Sequence, residues 1–226
     1  MSIQENVQEF MNRLQNSNTR LIAVSKTQPE DAIMEAYNAG LRRFGENKVQ
    51  EMVAKWEKLP HDIEWHLIGH LQTNKVKYIA PFVTTIQSVD SLKLLLEINK
   101  HAEKWNRLIN CMLQIRIARE DTKYGLSCRE AHDLLMEVES NPLSHVRIVG
   151  VMGIATNTDN QEQLQQEFRA LKQCFLELRE TFYPADDDVF VDISMGMSSD
   201  WQLALQEGST LIRVGSAIFG ARDYSK

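Results

Sequence analysis

A lysine that follows a buried apolar run offers the clearest chemistry in the sequence. Lys26 comes directly after the run LIAVS at 21–25, which has the composition of a buried strand. A lysine at the end of such a strand lies at the mouth of the fold, where desolvation favours the neutral amine. A neutral amine attacks an aldehyde carbon and forms a Schiff base. Because a lone lysine at a strand end is usually a solvated side chain, this interpretation requires a second signal.

Two segments near the carboxyl end supply that signal. SMGMSSD at 194–200 precedes a helical pattern, and RVGSAIFG at 213–220 follows an apolar run. Glycine lets backbone N–H groups approach an anion, and free N–H groups at a helix start favour negative charge. Ser198 and Ser199 also fit as simple helix N-caps. Taken together, the two segments predict a phosphate cradle across the mouth from Lys26, formed by Ser198, Ser199, Gly215 and Ser216. An amine with such a cradle suits pyridoxal 5′-phosphate or a sugar-phosphate aldehyde.

The elements that position these side chains are short apolar runs alternating with longer amphipathic segments. Strands are predicted at 20–25, 42–45, 63–69, 83–88, 109–117, 146–150, 189–194 and 211–215. Helices are predicted at 2–17, 29–39, 47–59, 90–105, 127–140, 160–182 and 198–208. This alternation indicates an α/β fold with a parallel sheet, and eight units fit a single-domain (β/α)8 barrel over 1–226 with an extra N-terminal helix. An open doubly wound sheet would carry G-x-G-x-x-G after its first strand, where this chain has SKTQ.

Working residues in such a barrel come from the carboxyl ends of the strands. That position adds five candidates to the lysine and the cradle: Asn47, His66, Met152, Ser194 and Arg213. A metal site at His66 and His70 is disfavoured because no acidic residue follows at a matching spacing. The segment with Arg119, Asp121 and Lys123 is predicted to be a solvated polar loop.

Composition and charge exclude several classes of protein. The 226 residues are 43% apolar and 25% charged with a net charge of −6, which excludes a disordered chain and disfavours binding to nucleic acid or anionic lipid. Three widely spaced cysteines argue for a reducing compartment and against a disulfide, with Cys111 in the core. A polar N-terminus and the lack of a long apolar run predict a cytoplasmic protein without a membrane span. A monomer is expected, because no long exposed apolar stripe stands out.

Seven motifs carry a resemblance to a known family. They are LIAVSKTQP at 21–29, FGENKVQE at 44–51, WHLIGHLQTNK at 65–75, QSVDS at 87–91, VMGIAT at 151–156, SMGMSSDW at 194–201 and LIRVGSAIFGAR at 211–222. In this order the motifs resemble the pyridoxal phosphate homeostasis protein family, whose barrel is similar to the N-terminal domain of alanine racemase. The chain departs from the family pattern at Gln28, Lys48 and Ser216, where lysine, tyrosine and threonine are common.

The resemblance implies a role for each matching residue. Lys26 would form a Schiff base with pyridoxal phosphate, Asn47 would lie beside the ring and Met152 would pack near it. Ser198, Ser199, Gly215 and Ser216 would be candidates for the phosphate. Arg213 would approach either the pyridine nitrogen or the phosphate, and the sequence leaves both open.

The resemblance also implies a cofactor carrier that supplies apo-enzymes, without strong catalysis of its own. The absence of the second domain that closes the site in racemase-like enzymes favours the same interpretation, since an open mouth positions an amino acid poorly. Two alternatives remain open at this point: a weak amino-acid racemase, and a Schiff-base aldolase that uses Lys26 directly on a sugar phosphate.

Overall fold

A closed barrel of eight parallel strands forms the centre of the molecule, with the last strand paired to the first. The computed structural model describes residues 2–118 and 124–220. The strands are β1 Arg20–Val24, β2 Arg43–Glu46, β3 Glu64–Leu67, β4 Thr85–Val89, β5 Ile109–Ile115, β6 Val146–Gly153, β7 Asp192–Ser194 and β8 Leu211–Val214. The predicted (β/α)8 fold is confirmed. Arg119, Asp121 and Lys123 of the predicted polar loop, and the end of the last motif at 221–222, lie outside the described residues.

Helices follow the strands, and one further helix precedes β1. They are α1 Ile3–Leu14, α2 Glu30–Asn38, α3 Val49–Trp56, α4 Val76–Ile79, α5 Leu92–Lys104, α6 Cys128–Ser140, α7 Gln161–Phe182, α8 Trp201–Gln206 and α9 Ser216–Phe219, with a 3-10 turn at Thr73–Lys75. The sequence does not predict α4 or α9, because four residues show no amphipathic period and fold only through tertiary contacts. Within the described part of the chain, no helix combines the length and apolar character needed to cross a membrane.

Strand side chains alternate between the inside of the barrel and the layer beneath the helices. Five buried residues, Ile22, Met112, Val149, Met152 and Leu211, form an apolar cluster of their own inside the barrel. A second and larger cluster joins the outward-facing strand residues to the buried faces of the helices. Since both faces of each strand are covered, the strands appear in the sequence as nearly continuous apolar runs.

The N-terminal helix α1 contacts the last two helices of the barrel, α8 and α9. A capping box between Ser2 and Glu5 begins the helix. The Nδ2 of Asn6 donates to the carbonyl oxygen of Ile218 in α9 at 2.9 Å. The ring of Phe10 lies 5.2 Å from that of Trp201 in α8. The helix therefore supports the two loops in which the sequence predicts a phosphate cradle.

A disulfide links Cys128, the first residue of α6, to Cys174 in α7. The expectation that the chain lacks disulfides is wrong. The two cysteines are 46 residues apart in sequence, but the packing of α6 against α7 brings their Cα atoms to 5.7 Å, within the range that a disulfide spans. The odd count arises from Cys111, which is buried in β5 as expected.

Candidate functional site at the barrel mouth

Lys26 lies in a tight turn at the carboxyl end of β1. The carbonyl oxygen of Ser25 accepts the N–H of Gln28 at 3.0 Å, which makes 25–28 a four-residue turn. Thr27 has a φ of 65°, in the left-handed region that β-branched residues rarely adopt. Such a conformation costs about 1–3 kcal/mol and persists only where neighbouring groups hold it. The turn leaves Lys26 half-buried at the end of the barrel where working groups are found.

The loops after β7 and β8 meet at the same end of the barrel. The Oγ of Ser198 accepts the amide N–H of Gly215 at 3.2 Å and that of Ala217 at 3.5 Å. Gly215 directly precedes α9, whose first residue, Ser216, is exposed. Because β8 pairs with β1, Gly215 and Ser216 follow a strand that neighbours the one carrying Lys26. The predicted cradle therefore lies beside the lysine and not across the mouth from it.

The serines of the β7 loop are not helix N-caps. Helix α8 begins at Trp201, with Asp200 as its N-cap residue. The Oδ1 of Asp200 accepts the amide N–H of Met197 at 2.5 Å and so fixes the loop that carries Ser198. Ser199 is exposed beside it. The sequence suggests N-caps because serines precede a helical pattern, whereas the Ser198 hydroxyl bonds to a loop that is distant in the chain.

A chain of buried polar side chains crosses the interior of the barrel below the mouth. Arg213 donates from Nη2 to the carbonyl oxygen of Gly153 at 2.9 Å and from Nη1 to the Oγ of Ser194 at 2.7 Å. Ser194 donates to the Oε1 of Gln87 at 2.7 Å, and the Nε2 of Gln87 lies 3.1 Å from the Nδ1 of His66. Sequence reasoning found three of these residues and missed Gln87, although a glutamine within a buried strand was a usable signal.

The direction of these hydrogen bonds indicates which ring nitrogen of His66 carries the proton. In this arrangement the Ser194 hydroxyl accepts from Arg213 and donates to the Oε1 of Gln87, and the amide nitrogen of Gln87 faces the Nδ1 of His66 as a donor. The proton of the neutral ring therefore sits on Nε2, a buried atom that has no hydrogen-bond partner among the described residues. Burial, with smaller contributions from Arg43 and Arg20, lowers the pKa of His66 to about 3. The ring is neutral at physiological pH and presents one unused N–H group.

Burial also affects the guanidinium of Arg213. It lowers the pKa of Arg213 to about 10, an effect that Asp200 partly opposes. The guanidinium is therefore still charged near neutral pH. It places one positive charge inside the barrel, directly below the loops that follow β7 and β8.

The remaining predicted residues lie after β2, which pairs with β1, and beneath the mouth. Asn47 follows β2, and its Oδ1 is buried without a hydrogen-bond partner among the described residues. A Cβ atom at Gly69 would lie 2.4 Å from the carbonyl oxygen of Asn47, so only glycine lets the β2 and β3 loops approach this closely. Met152 is fully buried in the interior cluster and therefore packs beneath the mouth.

These groups suit one kind of ligand. They supply an amine, two hydroxyls at a helix start, a buried cation and two buried polar atoms that have no hydrogen-bond partner among the described residues. A phosphorylated aldehyde with a polar aromatic ring matches that set of groups.

Among residues 2–118 and 124–220, no group of three or more His, Cys, Asp or Glu side chains could hold a metal. His66 contacts Gln87, whereas the Nδ1 of His70 lies 3.3 Å from the Oδ2 of Asp90.

Comparison with known proteins assigns the chain to a family. A family model described as the N-terminal domain of alanine racemase matches residues 1–223. A pyridoxal phosphate homeostasis protein from Pasteurella multocida is 38% identical over 229 residues, covering 99% of this chain and 96% of the relative. The chain belongs to the pyridoxal phosphate homeostasis protein family. The resemblance carried by the seven motifs is thereby confirmed.

Solved structures agree with this family assignment. PipY from Synechococcus elongatus, in a structure with PLP bound, superposes with a TM-score of 0.86 at 36% identity and covers 97% of this chain and 100% of PipY. An alanine racemase from Clostridium difficile superposes at 0.77 with 15% identity, covering 99% of this chain and 58% of the racemase. The second likeness shows the barrel fold alone, and the homeostasis family thus shares its barrel with the racemases.

Proposed function

We propose that this protein binds pyridoxal 5′-phosphate at the barrel mouth and acts in cofactor homeostasis. The observation that carries the proposal is the pairing of β1 with β8, which puts Lys26 and the loop at Gly215 and Ser216 on neighbouring strand ends. In pyridoxal phosphate the aldehyde and the phosphate arm stand on adjacent ring carbons. A lysine beside a phosphate cradle therefore matches the cofactor better than a lysine opposite one. The relatives named for pyridoxal phosphate homeostasis and the PLP-bound PipY structure support the same ligand.

The covalent link we propose is a Schiff base at Lys26. The neutral amine attacks the aldehyde carbon, and a C=N bond forms between that carbon and the Nζ of Lys26. The aldehyde oxygen leaves as one water that carries both amine protons, so no oxidant or reductant takes part. We expect the turn at 25–28 to direct the lysine toward the mouth, and the reaction is reversible by hydrolysis, as a carrier requires.

The phosphate is assigned to the loops after β7 and β8. The hydroxyls of Ser198 and Ser216, the exposed Ser199 and the start of α9 at Gly215 lie together there. Hydroxyl and N–H donors on small residues suit a phosphate dianion, because hydrogen bonds to a charged acceptor are the stronger class. Each of these contacts is an expectation that substitution tests directly.

The ring is assigned to the buried polar chain below. Arg213 is held against Ser194 and Gly153 inside the barrel, whereas the cradle is at its exposed end. We therefore assign its guanidinium to the side of the pyridine ring and not to the phosphate. His66 and Asn47, each with a buried polar atom that lacks a described partner, are assigned to the polar groups of the ring. Met152 supports the ring from below.

The position that we assign to Arg213 favours a carrier role, and we propose the cytoplasm as its compartment. A permanent cation next to the ring nitrogen disfavours protonation of that nitrogen, which weakens the electron sink that amino-acid chemistry uses. We therefore propose that the protein holds the cofactor and delivers it to apo-enzymes as a monomer, without strong catalysis, and without nucleic-acid or membrane partners. An amino-acid racemase and an aldolase acting through Lys26 are the two competing functions.

One set of measurements separates these three functions. The purified protein mixed with pyridoxal phosphate is expected to show a visible absorbance band, and borohydride followed by mass spectrometry is expected to place the adduct on Lys26. Exchange of the α-proton of an amino acid by the loaded protein indicates a racemase. A colourless protein that borohydride traps only with a sugar phosphate indicates an aldolase. Absence of both band and adduct in the wild-type protein contradicts the proposal.

A further inference from the structure

A buried ion cluster lies behind the strand end that carries Lys26. The Nζ of Lys55, in α3, lies 2.7 Å from each of three oxygens: the Oε1 of Glu46, the Oε1 of Glu51 and the carbonyl oxygen of Ser25. The Oγ of Ser25 also donates to the Oε1 of Glu46 at 2.6 Å. The side chain of Lys55 is 7% exposed and that of Glu46 is fully buried. An ammonium and a carboxylate are thus enclosed between the barrel and α3.

The contacts of this cluster converge on the peptide groups next to Lys26. Lys55 binds the carbonyl oxygen of Ser25, the residue before it, and the Oε1 of Glu51 accepts the N–H of Thr27, the residue after it, at 2.5 Å. Thr27 is the residue held at a positive φ. The cluster therefore holds the backbone on both sides of Lys26, and one of its contacts holds the strained residue directly.

Stability alone does not account for this cluster. Enclosing charged groups carries a desolvation cost that often cancels their attraction, and well-packed apolar side chains commonly stabilise such a site as well or better. Burial raises the pKa of Glu46, an effect that Lys55 partly opposes, and its Oε2 has no hydrogen-bond partner among the described residues. The charged groups instead fix the direction of the turn, since Lys55 holds the carbonyl oxygen of Ser25 and Glu51 holds the N–H of Thr27.

We propose that Lys55, Glu46 and Glu51 are positioning residues that hold the 25–28 turn so that the amine of Lys26 is aimed into the barrel mouth. This inference rests on the proposed function. Its target is the rate at which Lys26 reacts with an aldehyde, because a small misplacement of a reacting group slows a reaction far more than it weakens binding of the ligand. The three residues do not themselves contact the cofactor.

The test compares two ligands that differ in one group. Pyridoxal 5′-phosphate carries the aldehyde, and pyridoxine 5′-phosphate carries an alcohol in its place and forms no Schiff base. In Lys55→Met we expect growth of the visible band and borohydride trapping at Lys26 to slow by about tenfold or more. Binding of pyridoxine 5′-phosphate is expected to stay within about twofold of the wild type. The matched control is Lys58→Met, which removes an exposed lysine that pairs with Glu30.

A rescue experiment tests the strained residue. Glu51→Ala leaves the N–H of Thr27 without its acceptor and is expected to slow band growth in the same way. Glycine adopts a positive φ at little cost, so Thr27→Gly in the Glu51→Ala background is expected to recover most of the lost rate. If Lys55→Met does not fold, Lys55→Arg and Glu51→Ala carry the same comparison. Thermal unfolding of each variant sets a temperature at which all of them are folded.

The outcomes are distinct. Wild-type band growth in Lys55→Met and Glu51→Ala overturns the inference, and so does a parallel loss of both ligands, which indicates a merely structural cluster. Slowed band growth with normal pyridoxine 5′-phosphate binding and rescue by Thr27→Gly supports it. A wild-type protein that binds neither ligand contradicts the proposed function itself, and the inference fails with it.

Discussion

The two ends of the barrel differ in whether the polar side chains named below have partners. At the amino end of the strands, Arg20 pairs with Asp192, and the Nε of Arg43 lies 2.8 Å from the Oε2 of Glu64. At the carboxyl end, the Nε2 of His66 and the Oδ1 of Asn47 are buried and have no partner among the described residues. Buried polar atoms are normally hydrogen-bonded, so we propose that these two atoms are reserved for a ligand. We therefore propose that the amino end of the barrel serves stability and that the carboxyl end serves binding.

The largest effect on the difference between the two ends is expected when the amine of Lys26 is removed. Lys26→Ala is expected to abolish the visible band and the borohydride adduct, while the free energy of unfolding changes by less than about 1 kcal/mol. Absorbance spectroscopy and urea unfolding provide the two readouts. Lys100→Ala, which removes an exposed lysine of α5, serves as the control and should retain the band. A band of normal intensity in Lys26→Ala places the aldehyde site elsewhere.

The second test uses the pH dependence of stability. The folded-state pKa of His66 is about 3, against 6.5 for a free histidine, so the unfolded chain takes up a proton below about pH 6.5 and the folded chain does not. The contribution of His66 to stability is therefore complete above pH 6.5 and falls as the pH decreases toward 3. Relative to His66→Gln, the wild type should lose about 2–3 kcal/mol between about pH 7 and pH 4.5.

Denaturant unfolding across this pH range measures that difference. The quantity to compare is the slope of the unfolding free energy against pH, because the glutamine also changes packing. His61→Gln, at an exposed position, is the matched control and should keep the wild-type slope. Equal slopes for the wild type and His66→Gln indicate a histidine that becomes protonated in the folded barrel.

A smaller effect is expected at the phosphate cradle. Ser198→Ala and Ser216→Ala should each weaken cofactor retention by about 1 kcal/mol or somewhat more, since each removes a hydroxyl donor to a charged acceptor. Equilibrium dialysis of the loaded protein measures the retention. Ser140→Ala, at an exposed end of α6, should leave retention unchanged. Unaltered retention in the Ser198/Ser216 double variant removes the cradle assignment.

The smallest effect is expected at the amino end of the barrel. The Arg43–Glu64 pair is substantially exposed, with side-chain exposures of 34% and 40%, and exposed pairs contribute little to stability. Arg43→Gln should lower the free energy of unfolding by less than about 1 kcal/mol and leave cofactor retention unchanged. Urea unfolding and equilibrium dialysis check the two halves of this statement. Weaker cofactor retention in Arg43→Gln would contradict the assignment of binding to the carboxyl end alone.

The order of the elements was predictable because barrel strands are buried on both faces and therefore appear as apolar runs. Lys26, Ser198 and Gly215 were predictable as well, since each follows such a run. The partners of these residues were not. Gln87 reaches Ser194, and the Ser198 hydroxyl reaches Gly215, through contacts that only the closed barrel creates.

Two further features depended on packing between distant segments. The disulfide of Cys128 requires α6 to lie against α7, which no spacing of cysteines reveals. The cluster at Lys55 lies on the polar side of a short helix, where a lysine and a glutamate ordinarily indicate a solvated surface. Its burial follows from the way α3 packs over the ends of β1 and β2.

The pairing of β1 with β8 has a consequence for the protein during its synthesis on the ribosome. The amine belongs to the first strand that a ribosome releases, and the loop assigned to the phosphate follows the last. Under the proposed function, a partly synthesised chain thus carries Lys26 without the loop that we assign to the phosphate. Under the same proposal, tight binding of the cofactor requires translation to have passed the eighth strand, so the ligand would bind completed chains in preference to nascent ones.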